Sequence, residues 1–277
     1  MACQTDTPIA TNSPRRAIPR ANDRLQHPSR TTPRAERVWI GTSGWSYSPW
    51  RHNFYVDVPR ADWLAHYASR FPTVELNASF YRFQSPETYR AWRDATPPEF
   101  RFSIKGNRAI THVQTLGNCA DLIKRQRDAA LALGERLAVV LWQLPRSLAC
   151  DQSLLVEFLE ALGNWREMLH AIEFRHPSWF TPQTAAQLEA HFVANVISDA
   201  ATWPRWDAVT ASFVYVRLHG DRVVYRSAYD DEKLMAWTRR LDTWRNEGRD
   251  IYVFFDNTMD GAAPDDAARL TALLQAD

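Results

Sequence analysis

Eight short β-type runs, nearly all separated by helical stretches, occupy residues 38–277, and this alternation points to a parallel sheet. The runs are Val38–Thr42, Thr73–Asn77, Phe100–Lys105, Leu137–Gln143, Ala171–Arg175, Phe192–Ser198, Phe213–Gly220 and Ile251–Phe255. Helical patterns cover Asp62–Phe71, a segment opened by Ser85-Pro86-Glu87, Ala120–Leu133, Leu154–Leu162, Pro182–His191, Asp231–Glu247 and Pro264–Gln275. Only the stretch between Phe192–Ser198 and Phe213–Gly220, containing Thr202-Trp203-Pro204-Arg205-Trp206, shows no helical pattern. Eight repeats over about 240 residues fit a closed (β/α)8 barrel of the TIM type. An open doubly wound sheet would want a Gly-rich phosphate turn after the first strand, and Gly41-Thr42-Ser43-Gly44 is a poor one. The expected fold class is therefore α/β.

Strand faces locate the chemistry. In Phe213–Gly220, strict alternation sets Val214, Val216 and Leu218 against Phe213, Tyr215, Arg217 and His219. A barrel strand is covered by helices outside, so its aliphatic face turns outward and Arg217 and His219 point inward at the carboxyl end. The same reasoning brings Glu75, Lys105, Glu173 and Arg175 to the same mouth, with Asn77 and Gln143 among them. Loops add His176 after the fifth strand and Asp256 and Asn257 after the eighth; His112 follows the third. Burying so many charges costs several kcal/mol each unless they pair. The reading is a functional site, with a structural ion-pair network as the plainer alternative.

Three cations, Lys105, Arg175 and Arg217, face the carboxylates Glu75 and Glu173, so a small anionic ligand would complete the balance. Glu75 and Glu173 are the acid–base candidates, three strands apart and not expected to touch, and His219 is the natural proton carrier. His176, ahead of Pro177, could equally cap local backbone. No cofactor motif is present. A divalent metal would need three converging ligands, and Glu75, Glu173, His176, His219 and Asp256 share no recognisable spacing, while nearby Arg and Lys would oppose a cation.

The net charge of +1 is unevenly spread: residues 1–37 hold seven Arg against Asp6, Asp23 and Glu36, leaving the remainder net acidic. These 37 residues, rich in Pro, Arg, Ser and Thr without periodicity, read as a disordered leader ahead of one barrel domain at 38–277. Three scattered cysteines, Cys3, Cys119 and Cys150, suit a reducing compartment. No apolar run approaches the roughly 18 residues of a membrane span.

Several segments resemble signatures of the YecE-like family, a domain of unknown function (72): Gly41-Thr42-Ser43-Gly44-Trp45-Ser46-Tyr47, Thr73 through Tyr81, Phe102 through Lys105, Ile110-Thr111-His112, Glu173 through Trp179, Val216 through Gly220, and Phe255-Asp256-Asn257. The resemblance runs in order from about residue 38 to 277 and implies a TIM-like barrel in a bacterial or archaeal cytoplasm; it carries no established reaction. Family members usually have two Asn where this chain has Asp256-Asn257, so Asp256 adds a negative charge at the mouth and weakens the case for an anion there. The leading expectation is a hydrolase or lyase of a small phosphate- or carboxylate-bearing compound. Arg217, Arg175 and Lys105 would bind the anion, His219 and Glu173 would move protons, and Glu75 and Asn77 would orient the substrate. Two alternatives stay open: a metal-dependent phosphodiesterase or nuclease aided by the basic leader, and a ligand-binding protein without catalysis.

Overall fold

The computed structural model describes residues 38–276. The expected leader, residues 1–37, lies outside them. Eight parallel strands close on themselves in sequence order: β1 (Val38–Ser43), β2 (Thr73–Leu76), β3 (Arg101–Lys105), β4 (Leu137–Gln143), β5 (Leu169–Glu173), β6 (Ala194–Asp199), β7 (Phe213–Leu218) and β8 (Asp250–Phe255). β8 pairs with β1 to seal the barrel, setting Val38 beside Ile251 and Thr42 beside Phe255. The (β/α)8 expectation holds.

The helices are α1 (Trp63–Arg70), α2 (Ala78–Tyr81), α3 (Pro86–Asp94), α4 (Ala120–Ala130), α5 (Gln152–Leu162), α6 (Pro182–Ala190), α7 (Asp231–Asn246) and α8 (Ala263–Ala276). The Ser85 hydroxyl caps α3 by accepting from the Thr88 amide (3.3 Å), with Pro86 at its first position. Between β6 and β7 there is no helix, as the pattern around Trp203 implied. Instead Trp203 is buried, and Trp206 and Val209 pack against the core.

Two apolar clusters follow from the strand alternation. Val214, Val216 and Leu218 belong to the larger one, shared with the helices. Phe213 and Tyr215 belong to the smaller one with Val139, Leu141, Ala171, Ala194, Val196, Tyr252 and Phe254, side chains that fill the barrel axis. At its amino end Trp39 stacks on Tyr252 with ring centroids 4.8 Å apart. The lower barrel is thus closed by side chains, and polar residues can gather only above them.

Element ends differ from the sequence reading in three informative places. β5 begins at Leu169 and stops at Glu173, so Arg175 stands in the loop beyond it. β6 starts at Ala194, because Phe192 turns the chain with φ +58° and is exposed. α4 ends at Ala130 and passes into a tighter turn over Leu131–Arg136, broken where Gly134 takes φ +59°. The short α2 and a π-turn at Ala109–Val113 carry too few residues to show a period.

Candidate active site

The site is built around one guanidinium. Arg217 leaves β7 toward the axis and is 1% exposed. Its Nε donates to Glu75 Oε2 (3.0 Å) and its Nη2 to Glu75 Oε1 (2.7 Å), a forked pair across the barrel. Nη1 donates to Glu173 Oε2 (2.8 Å), and Nη2 also reaches Asp256 Oδ2 and Ser43 Oγ (3.0 and 3.1 Å). Burial alone would lower the Arg217 pKa, but Glu173, Glu75 and Asp256 outweigh it and hold the group protonated. Glu75 and Glu173 do not pair with each other, as their strand separation suggested; they share Arg217.

Strand register explains how the partners arrive. Ser43 lies beside Glu75 across β1 and β2, and its hydroxyl donates to Glu75 Oε1. Asn77, just past β2, donates through Nδ2 to Ser43 Oγ (3.0 Å). Tyr215, two residues before Arg217 and on the same face, donates to Glu75 Oε2 (2.7 Å) and also bonds the Ser103 hydroxyl (2.7 Å). Ser198 sits beside Arg217 across β6 and β7 and donates to Glu173 Oε1 (3.0 Å). Every oxygen of the two glutamates therefore has a partner, which is what makes their burial tolerable.

His219 and Arg175 complete the array. His219 is fully buried; its Nε2 lies 2.9 Å from Glu173 Oε1 and 3.4 Å from Arg217 Nη1. Its Nδ1 is 2.9 Å from Asp256 Oδ2 but too poorly aligned for a good hydrogen bond. Arg175 donates through Nε to Glu173 Oε1 (3.0 Å), with Nη2 2.9 Å away, and lays its guanidinium 4.0 Å above the Trp203 ring. Trp203 also meets His219 edge-on at 5.0 Å and donates to Ser198 Oγ (3.1 Å). The helix-free loop between β6 and β7 thus roofs this side of the site.

Lys105 differs from the other cations. No carboxylate among the described residues lies within ion-pair distance of its Nζ, which rests 4.3 Å over the Phe80 ring supplied by α2. Burial and then Arg217 lower it to about 8, against the weaker pull of Glu75, Asp256 and Glu173. His112, on the π-turn after β3, meets the same Phe80 ring edge-on at 5.0 Å, and its pKa is lowered by burial and then by Lys105, Arg108 and Arg175. Gly106 follows Lys105 directly. A Cβ there would come within 2.2 Å of the Trp142 ring, so the close approach of that ring requires glycine at the end of β3.

Of the residues foreseen for the site, Glu75, Glu173, Arg175, Arg217, His219 and Asp256 are joined directly, Asn77 joins them through Ser43, and Lys105 stands within their field. Three lie apart from this network. Gln143 turns its amide onto the Leu144 carbonyl (2.7 Å). His176 accepts from the Ser178 amide (3.2 Å) and caps the turn Pro177–Trp179. Asn257 donates to Asp266 Oδ2 (2.7 Å) and to the Ser227 carbonyl (2.9 Å), tying the end of β8 to α8. Ser43, Ser198, Tyr215 and Trp203 were not foreseen, although Ser43, Ser198 and Tyr215 share their strands' inward parity.

Among the described residues no group of three His, Cys, Asp or Glu is disposed to hold a metal ion. Of the five side chains that could have done so, Glu75, Glu173, His219 and Asp256 gather at Arg217, whose fixed charge stands in a cation's place, while His176 caps its own turn. The ionisation of Asp256 has a measurable consequence. Burial would raise its pKa, but Arg217 and His219 overcome that and bring it from 3.8 to about 2. A depressed carboxylate stabilises the fold above its unfolded pKa and loses that contribution as pH falls through the folded value. The contribution is about 2 kcal/mol. In urea unfolding at a series of pH values, Asp256→Asn should show a shallower stability loss than the parent between pH 3.8 and about 2. Identical slopes would show that Asp256 is not so coupled.

A closed parallel barrel with its ionisable side chains gathered at the carboxyl ends of the strands is a TIM-type barrel with a polar mouth. The chain belongs to the family described as "Protein of unknown function DUF72", whose model matches residues 39–277. The UPF0759 protein YunF of Bacillus subtilis (strain 168) is 27% identical over 270 residues, spanning 86% of this chain and 94% of that protein. The UPF0759 protein YecE of Escherichia coli (strain K12) is 30% identical over 144 residues, 52% of this chain and 50% of that protein. A crystal structure of a DUF72 family protein from Thermotoga maritima is 28% identical, with a TM-score of 0.74 over 86% of this chain and 99% of that one. One from Enterococcus faecalis, 20% identical with a TM-score of 0.73 over 86% and 95%, shares the fold. No helix among the described residues is long and apolar enough to cross a membrane.

Proposed function

We propose that the barrel mouth is the active site of an enzyme, a hydrolase or lyase, for a small phosphate- or carboxylate-bearing substrate. One observation carries the reading. The carboxylates at the mouth are already committed to Arg217, Arg175 and His219, while Lys105 is a cation without a carboxylate partner. An anionic group would supply what Lys105 lacks. Arg217 is a poor direct ligand because each of its nitrogens is engaged, so the anion falls to Lys105 and Arg175, whose Nη1 makes no hydrogen bond to the described residues. Asp256 is ion-paired with Arg217, so its charge is turned toward the guanidinium rather than left facing the substrate alone.

Proton movement is assigned to His219. The ring stands between two carboxylates, with Nε2 2.9 Å from Glu173 Oε1 and Nδ1 2.9 Å from Asp256 Oδ2, and a small rotation would align the second contact. Asp256, with its side chain 13% exposed, is the more open end of that chain and the one nearer incoming substrate. Glu75, Ser43 and Asn77 orient Arg217 and the rim.

The test is a screen of phosphoesters and sugar acids, followed by two substitutions. His219→Gln should cut kcat by about 100-fold or more, the usual size of a lost general acid–base. Arg175→Met should act mainly on KM. An anion that raises the melting temperature without any turnover would instead favour a binding protein. Turnover that survives His219→Gln unchanged would remove the proton-carrying role.

A further inference from the structure

We propose that Lys105 is a covalent nucleophile whose amine condenses with the carbonyl of a small 2-oxo acid held at the mouth. The inference rests on the reading of the mouth as an anion-binding active site and specifies the substrate's reacting group.

Three observations carry it. First, the chain has 33 basic residues but only three lysines, Lys105, Lys124 and Lys233. Where this protein needs a permanent cation it overwhelmingly uses Arg, including at Arg175 and Arg217 of this site. Lys105 is the lysine at the mouth, and a primary amine can do what a guanidinium cannot: give up a proton and attack carbon. Second, the amine is unencumbered. No carboxylate holds it within ion-pair distance, and the Phe80 face against which it rests offers no proton acceptor comparable to one. Lys124, by contrast, is exposed and paired with Asp128. Third, Arg175 at the same mouth engages Glu173 through Nε and Nη2 and keeps Nη1 for a carboxylate, and His112 meets edge-on, at 5.0 Å, the Phe80 ring against which Lys105 rests. The depressed Lys105 pKa of about 8 supports the same assignment, since about a tenth of the group is then free amine at pH 7.

The step balances without a redox partner. The neutral amine attacks the carbonyl carbon, forming the C–N bond while the carbonyl π pair moves to oxygen. Nitrogen then gives up a proton and oxygen takes one, leaving a carbinolamine. Its hydroxyl takes a further proton from solvent and departs as water as the nitrogen lone pair closes the C=N bond. The resulting iminium is an electron sink for breaking a bond next to the former carbonyl, which is the work of a lyase.

The experiment uses the full chain with pyruvate as probe and sodium cyanoborohydride as trap, read by intact mass and peptide mapping. Trapping should be at least about tenfold faster at Lys105 than at Lys124 or Lys233, because burial favours the neutral form of the Lys105 amine and it stands at the anion-binding mouth. Lys105→Arg, which keeps the charge, should abolish the Lys105-dependent label, while oxalate should still raise the melting temperature of both proteins. Equal labelling of all three lysines, or undiminished labelling of the variant, overturns the proposal. If oxalate stabilises the protein and pyruvate is not trapped, the covalent step alone falls. If neither happens, the anion-site reading falls with it.

Discussion

Replacing Arg217 with alanine is expected to cost at least about 3–5 kcal/mol of folding stability, the range seen when one partner of a buried ion pair is removed. The loss should reach the upper end because Glu75, Glu173 and Asp256 would all be left without the same counter-charge. Arg217→Lys should recover little of it. One ammonium cannot reproduce the forked contact to Glu75 and also reach Glu173 and Asp256. The pH dependence provides a second signature. Without the guanidinium, burial dominates and the carboxylates of Glu173 and Asp256 should titrate above their parental values, so the deficit should narrow as pH is lowered and they are neutralised. Urea unfolding of parent and variant across the acid range measures both effects. A deficit below about 1 kcal/mol, the level of an exposed pair, would show that the network does not hold the barrel together.

Glu173→Leu is the second large perturbation, with an expected loss of about 3–5 kcal/mol for the same reason. Here the orphaned groups are Arg175, His219 and one arm of Arg217. Burial opposes ionisation of Glu173, yet Arg175, Arg217 and His219 hold its carboxyl well below the usual range, so its charge is integral to the folded state. The distinguishing readout lies at a distance. Glu173 fixes Arg175, Arg175 stacks on Trp203, and Trp203 pins the helix-free segment between β6 and β7. Amide exchange in residues 200–212 should therefore accelerate, by about tenfold or more, beyond what the global loss of stability explains. Glu173→Gln keeps the shape and one acceptor and should loosen the segment less. Unchanged local protection in Glu173→Leu would break the proposed link between network and roof.

Much of this arrangement was legible before any coordinates. A barrel strand covered on both faces leaves a charged side chain nowhere to go but the mouth, so the parity of Arg217 and His219 against Val214, Val216 and Leu218 placed them correctly. What parity cannot supply is distance across the axis. That Ser43 and Tyr215 meet Glu75 depends on the barrel's closure and register, and neither is encoded locally. Hydroxyls compound the difficulty, because an inward Ser or Tyr passes equally well for packing. Trp203 was hidden among 12 tryptophans in a segment without periodicity. His176 and Asn257 were drawn into the site by proximity in sequence, whereas each serves local architecture, a turn cap and a helix anchor.

Arg217 also sets the depth of the mouth. With its guanidinium across the axis and aromatic side chains beneath, the barrel is corked from inside, and an incoming molecule can engage only the rim. Phe80 and His112, which rim that mouth without a hydrogen bond to Glu75, Glu173, Arg217 or Asp256, can then be exchanged while the ionic cork below stays as it is.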